Sequence, residues 1–310
     1  MAFLCIDIGG TNTLIGLGNG DFEEKKRIKS HRFLKDIEGC IQEVIENAGY
    51  RKDDITRVAV AAAGPMDREE GVFYPPNLSE DSELDEVQLR KPMEKFGELQ
   101  IINDCTAAVK GEYEYGESAE NMVYITISSG IGLGAVFNGQ IIEGADGNFG
   151  EIGHMKVNGE LECGCGRKGH WEAYSSGNRL PVMAERLFDL EYKNAIELFE
   201  DYNSGSEEAA KVIEKMQEVN AEAFANVISL YNPEKIVFGG PVASNHTEIV
   251  VDEIRDEIEE KAVNGVPEIV PAELGEQSVL HGLRAHCNSH SLTSATSPKV
   301  ALRSSPDSTL

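Results

Sequence analysis

Residues 163–172 read CGCGRKGHWE and bring Cys163, Cys165, His170 and Glu172 within ten positions, in a chain with six cysteines in 310 residues. Just upstream, GNFGEIGHMKV over 147–157 places Glu151 and His154 three apart. Two thiolates and two imidazoles, from His154, Cys163, Cys165 and His170, match the donor set of a closed tetrahedral Zn²⁺ site. The spacing is not that of a standard zinc finger, and the competing reading leaves two free thiols on a glycine-rich loop. A structural zinc would pin this irregular stretch and draw Glu151, His154 and Glu172 together. Carboxylates and an imidazole accept hydrogen bonds from vicinal hydroxyls, so a sugar is the natural ligand of such a wall.

Two glycine turns carry a second kind of chemistry. DIGGTNT over 7–13 supplies Gly9, Gly10, Thr11, Asn12 and Thr13 between two strand-like runs. Glycines let backbone N–H groups approach phosphate oxygens, and the threonine hydroxyls add donors. Asp7, at the strand end, is placed to hold Mg²⁺ through water. The plain alternative is a hairpin turn. ISSGIGLG over 127–134 repeats the device with Ser128, Ser129 and Gly130. Two such loops suit a nucleoside triphosphate gripped from both sides of a cleft. No GxxxxGKS or GxxxxGKT segment occurs, and neither loop opens a helix, which disfavours a dinucleotide fingerprint. In FGGPVAS (238–244), Gly239 and Gly240 offer bare backbone to a flat purine, or equally a helix-opening turn.

IINDCTAA over 101–108 ends a buried strand with Asn103 and Asp104. Asp104 reads either as a helix N-cap, contributing about 1 kcal/mol, or as a general base that accepts the proton of an attacking hydroxyl. The neighbouring phosphate loops favour the base.

These residues sit on alternating strands and helices. AFLCIDI (2–8) is a buried strand, LIGLGNG returns from the first turn, and apolar residues at helical spacing predict a helix over about 34–48. VAVAAAG (58–64) and LQIIN (99–103) are further strands, separated by a Pro- and acid-rich loop at 74–85. Then MVYITI (122–127), a glycine turn and LGAVFNG repeat the opening pattern. Helices dominate 171–231, KIVFGGP (235–241) is a strand, and helices over about 245–262 and after Gln277 complete the pattern. Strand–helix alternation predicts an α/β chain, and the repeat predicts two lobes with a ligand cleft between them. Residues 286–310 hold ten Ser or Thr and a single acidic residue, Asp307, and read as a disordered or foreign tail.

The formal charge is -26, from 54 acidic against 28 basic residues. A phosphate backbone would be repelled, so nucleic acid is excluded as a partner. Self-repulsion of this size opposes compaction in dilute buffer, and high salt removes much of that cost. The acid excess points to a salt-adapted, haloarchaeal cytosol, against the plainer reading of an acidic mesophilic protein. No run of about 18 apolar residues is present, so no membrane span is expected. Cys5, Cys40 and Cys105 lie in apolar contexts and read as small core residues.

DIGGTNT, ISSGIGLG, GEIGH and CGCGRKGHWE together resemble the ROK family (repressor, open reading frame, kinase) in its glucokinase branch, over about residues 1–285. The resemblance implies a two-lobed actin/hexokinase-like, ribonuclease H-like α/β fold. The small lobe would be 1–108 plus about 275–285, and the large lobe 109–274. It further implies a cytoplasmic homodimer that uses ATP and Mg²⁺ to phosphorylate the 6-hydroxyl of a hexose, most simply glucose. N-acetylmannosamine, fructose and allose are alternative acceptors, and a sugar sensor is the non-catalytic alternative. Asp104 would be the base; Gly64, Asn77, Asn103, Glu151, His154 and Glu172 would contact sugar; and His154, Cys163, Cys165 and His170 would hold zinc. Two departures stand out. His170 replaces the family's usual third cysteine, and Ser128-Ser129-Gly130 replaces its usual GTG. The family's repressors carry an N-terminal DNA-binding helix-turn-helix, whereas this sequence begins at the first phosphate strand.

Overall fold

A computed structural model describes residues 2–64, 66–73, 86–157 and 159–289. Its first sheet comprises β1 (Ala2–Ile8), β2 (Asn12–Asn19), β3 (Asp21–Lys29), β4 (Ile55–Ala62) and β8 (Glu98–Asn103). A small ribbon of β5 (Met66–Asp67), β6 (Val72–Phe73) and β7 (Val87–Gln88) lies between β4 and β8 in sequence. The second sheet comprises β9 (Met122–Ile127), β10 (Ile131–Phe137), β11 (Gln140–Ile142), β12 (Lys235–Gly239) and β13 (Glu268–Pro271).

The two sheets have the same topology. Their orders are β3-β2-β1-β4-β8 and β11-β10-β9-β12-β13. In each, three antiparallel strands are followed by two parallel ones. The repeat legible in sequence at two strands therefore extends to five. Central β1 and β9 are almost wholly buried, which is why both are near-continuous apolar runs.

Charge hides one of these strands in the sequence. β3, DFEEKKRIK, alternates exposed and half-buried positions at the sheet edge. Charged edge residues discourage pairing with another chain, and Lys26 and Arg27 bridge to Glu43 and Glu276. The helix expected over 34–48 is two helices, Ser30–Lys35 and Ile37–Asn47. Asp36 breaks it, because its carboxylate accepts a hydrogen bond from Gly39 N at 3.0 Å and starts the second helix afresh. The helix expected over 245–262 is likewise three pieces, Thr247–Val250, Asp252–Ile254 and Arg255–Lys261.

The sheets are joined through two crossing helices. Helix Asp104–Tyr115 packs on β9 and β10, and helix Ser278–Ser289 packs on β1 and β4. Residue 108, the expected division between lobes, falls inside the first of these unbroken helices. A Cβ on Gly282 would lie 1.7 Å from Ala107 O, and one on Gly111 would lie 2.0 Å from Ser278 O. Only glycine allows the backbones this close. Beside the crossing, buried Glu112 accepts hydrogen bonds from Glu273 N (3.1 Å), Leu274 N (3.1 Å), Glu117 N (3.2 Å) and Ser278 Oγ (2.6 Å).

The tail expected from His286 begins too early. The last helix runs on to Ser289, and His286 and Cys287 are buried in it, because the helix still has the first sheet beneath it. Cys5, Cys40 and Cys105 are buried, as expected. Among the described residues, no helix is long and apolar enough to cross a membrane.

Candidate active site

The carboxyl ends of parallel β1, β4 and β8 lie side by side, with Asp7 opposite Ala61 and Ala62 opposite Asn103. Ligands of open α/β sheets bind beyond this edge. Asn103, not Asp104, is the N-cap: its side-chain oxygen accepts from Cys105 N (2.8 Å) and Thr106 N (3.2 Å). Asp104 begins the helix itself and accepts from Cys105 N at 2.7 Å through Oδ1. Burial outweighs this bond and raises the Asp104 carboxyl above 3.8. Burial, followed by the charge of Asp104, pushes Asp7 up to about 7. Asp7, whose ionisation burial and then Asp104 disfavour, makes a fitting place for a hard, hydrated cation such as Mg²⁺.

The first glycine loop is pinned from below. Gly9 N donates to Asn12 O at 3.2 Å, and a Cβ on Gly9 would stand 2.9 Å from that oxygen. Ser30 N donates to Thr11 O (3.0 Å) and Ser30 Oγ to Gly9 O (2.6 Å). Thr13 is fully buried and its hydroxyl pairs with that of Ser30 at 3.1 Å. Thr13 therefore supports the loop from beneath, correcting its expected place among the phosphate donors, while Gly10, Thr11 and Asn12 remain accessible. Strand alternation points Thr13 inward, a cue that the motif alone did not supply.

The second loop closes through Ser128 N donating to Gly130 O at 2.8 Å, leaving Ser129 and Gly130 half-exposed. Gly177 N donates to Ser128 O at 2.7 Å and braces it from the helical region. At the end of β12 the helix-opening turn is what forms. Gly240 has φ +85° and precedes helix Pro241–Asn245. A Cβ there would lie 2.6 Å from Ile127 O, and one on Gly239 would lie 2.1 Å from Tyr124 OH, so packing against β9 accounts for both glycines.

Across the cleft, Glu151 precedes a single 3₁₀ turn, Ile152–His154. Desolvation in the cleft, then the charges of Asp104 and Glu172, push Glu151 up to about 7. Gly64, at the end of β4, lies against it, and a Cβ there would be 2.5 Å from Glu151 Oε1. His154 faces two ways: Nδ1 is 3.7 Å from Cys163 Sγ and Nε2 is 3.9 Å from Glu151 Oε2. Glu172 accepts from Ile131 N at 3.1 Å through Oε2, and its Oε1 lies 3.8 Å from Cys163 Sγ. Asn77 lies outside the described residues.

The four expected metal ligands come together, with ligand atoms of His154, Cys163, Cys165 and His170 all within 4.8 Å of one another. Cys165 Sγ and His170 Nδ1 are 3.3 Å apart. Bridges Lys156–His170 and Glu162–Lys168 fold the segment back on itself, and Tyr174 OH accepts from Leu161 N at 3.1 Å. Burial is the main influence pushing the Cys163 thiol up to about 12, so a thiolate there needs an adjacent cation. Burial, then His154, holds His170 below the usual imidazole value and so favours the neutral ring that binds metal. This donor set fits Zn²⁺. The helix carrying Glu172 is anchored by Trp171, whose Nε1 donates to Asn220 Oδ1 at 2.8 Å in the core.

Ser30 and Gly177 are supports of the two glycine loops that sequence reading missed. Each acts through a contact distant in sequence, and neither lies in a recognisable motif.

Duplicated five-stranded sheets with two phosphate-type loops and a carboxylate-lined cleft define the two-lobed actin/hexokinase-like fold. Residues 3–288 match the ROK family, and the chain belongs to that family. It is 32% identical over 287 residues to a glucokinase of Pyrobaculum calidifontis, covering 91% of this chain and 94% of that protein. It is 30% identical over 249 residues to an N-acetylmannosamine kinase of Haemophilus influenzae, covering 78% and 81% of the two chains. A crystal structure of a ROK family glucokinase from Streptomyces griseus, in complex with glucose and AMPPNP, superposes with a TM-score of 0.74. It is 23% identical and covers 93% of this chain and 100% of that one.

Proposed function

We propose that this protein is an ATP-dependent hexose kinase that forms the 6-phosphate of its sugar, with glucose as the main acceptor. The observation that carries this is the carboxylate cluster. Asp7, Asp104, Glu151 and Glu172 come from four separate segments, and Asp104 raises both Asp7 and Glu151 while Glu172 raises Glu151 again. Like charges gathered from both sides of one cleft oppose folding and call for a function. The relative named glucokinase supports the acceptor.

In this mechanism Asp104 takes the proton of the sugar 6-hydroxyl as that oxygen attacks the γ-phosphorus and the bond to the departing ADP breaks. Burial makes Asp104 more basic than an ordinary aspartate, which suits a group that must take a proton. Glu151 and Glu172 accept from sugar hydroxyls, His154 with one ring nitrogen on the metal donates through the other, and Gly64, Asn77 and the amide nitrogen of Asn103 would be further sugar contacts. Gly9, Gly10, Thr11, Asn12, Ser129 and Gly130 donate to the phosphates, and the purine would lie against Gly239 and Gly240. Asp7 would hold Mg²⁺, which when bound offsets phosphate charge. His154, Cys163, Cys165 and His170 would hold a structural Zn²⁺, which fixes the loop presenting Glu151 and Glu172. A salt-rich cytosol, suggested by the charge of -26, and a homodimer are part of the same proposal.

N-acetylmannosamine is the second acceptor to consider, because a relative of that activity is 30% identical. The test is an ADP-release assay over a panel of sugars, in high salt with Mg²⁺, with Asp104→Asn as control. Glucose-stimulated ADP release that the variant lacks supports the proposal. ADP release indifferent to every hexose refutes it.

A further inference from the structure

We infer that Arg68 is a positioning residue for the sugar half of the site, strapping the segment that carries Glu151 to the strand that ends at Asn103, immediately before Asp104. This rests on the proposed kinase function and extends it to a residue that touches neither substrate.

Arg68 follows β5 in the small three-stranded ribbon. Its Nε donates to Ile101 O at 2.8 Å, on β8 two residues before Asn103. Its Nη1 reaches Glu143 Oε2 at 3.2 Å, one residue beyond β11 of the second sheet. One planar guanidinium thus ties the strand that leads to Asp104 to the start of the segment leading to Glu151. Its rigid fork holds both partners in a fixed relation that lysine could not reproduce. Arg90 Nη2 donates to Arg68 O at 2.7 Å and fixes the backbone behind it.

The rest of the segment is fitted to this strap. Gly147 has φ +85°, and a Cβ there would stand 2.0 Å from Arg68 Nη1, so the bare backbone leaves room for the guanidinium. One residue on, Asn148 pairs with the backbone of Met66 in both directions, accepting from its N at 3.3 Å and donating to its O at 3.4 Å. The segment is therefore held to the ribbon at 143 and at 148, and then delivers Glu151 against Gly64. A mere surface ion pair would involve neither the Ile101 carbonyl nor a glycine cleared for it. Displacing a sugar-binding carboxylate by a fraction of an ångström weakens sugar affinity and leaves the nucleotide loops, held by Ser30 and Gly177, untouched.

The test compares wild type with Arg68→Gln, Glu143→Gln and the double variant. It measures KM for glucose and ATP, kcat, Tm, and glucose Kd from the fluorescence of Trp171, the chain's single tryptophan. Each single variant is expected to raise glucose KM and Kd by roughly tenfold, with ATP KM within about twofold. The double variant should be no worse than Arg68→Gln, as expected of two residues in one connection. A purely structural role would instead lower Tm and kcat through lost folded protein, leaving both KM values as they were. That pattern overturns the inference, as do unchanged glucose constants. Should Arg68→Gln fail to fold, Glu143→Gln, whose loss spares the Ile101 bond, decides alone. A wild type that transfers phosphate to no sugar overturns the kinase reading and this inference with it. An active wild type with unaltered variants overturns only the strap.

Discussion

Gly64 stands so close to Glu151 that any side chain on it would collide with the carboxylate, at 2.5 Å from Oε1. The obstructed atom is the far end of a flexible side chain, so Gly64→Ala can be accommodated by swinging Glu151 aside. The expected result is a folded protein, with stability changed by less than about 1 kcal/mol, and a glucose KM raised about tenfold or more. Steady-state kinetics beside a thermal melt check this. An unchanged glucose KM would remove Glu151 from the sugar site.

Asp104→Asn should reduce kcat by at least about 100-fold while glucose still quenches or enhances Trp171 fluorescence. In the wild type, burial raises Asp104, so the acid limb of the kcat profile should lie above the ordinary aspartate value of 3.8. An acid limb at or below that value contradicts the burial of the base.

The same group makes a prediction about stability. A carboxyl whose folded pKa is raised binds its proton more tightly in the folded chain. Its contribution is therefore fully present below the unfolded pKa of about 3.9 and is lost as pH rises through the higher folded value. Asp104→Asn should accordingly raise the Tm of the ligand-free protein at pH 8, and the gain should shrink toward pH 4. Equal Tm shifts at both pH values would be inconsistent with this.

Metal analysis of protein purified without chelator should find one zinc per chain. Chelation should lower Tm and expose the 151–172 region to protease, since folding free energy is coupled to the bound ion. His170→Cys should retain zinc, because thiolate is an equally good ligand, whereas Cys163→Ser should lose it. Zinc-free wild type with full activity would argue against this role for the cluster.

Asn220→Ala leaves the Trp171 indole N–H without an acceptor in a fully buried position. The expected cost is about 1–3 kcal/mol, with a shift in Trp171 emission. Denaturant unfolding followed at two wavelengths measures both.

The parts of the site that read clearly from sequence are those whose chemistry is local. The Asp7–Thr13 turn, Asn103-Asp104 at a strand end, and the His154–Glu172 donor set each carry their signal within a few residues. The misreadings arise where the deciding partner is remote. Thr13 looked like a phosphate donor because Ser30, 17 residues away, is invisible to the motif. β3 carried no strand signal, because an edge strand buries little of either face. His286 and Cys287 looked like tail because their composition changes before their packing does. Arg68 carried no signal, as its meaning depends on Ile101 and Glu143 meeting at one guanidinium.

At the crossing of Gly111 with Gly282, main chain rests on main chain with no cushion of side chains between. A methyl group at either glycine would have to push one helix off the other. Each helix rests on its own sheet, so the displacement would pass directly into both sheets, the first of which carries Asp7 and Asn103 at its strand ends.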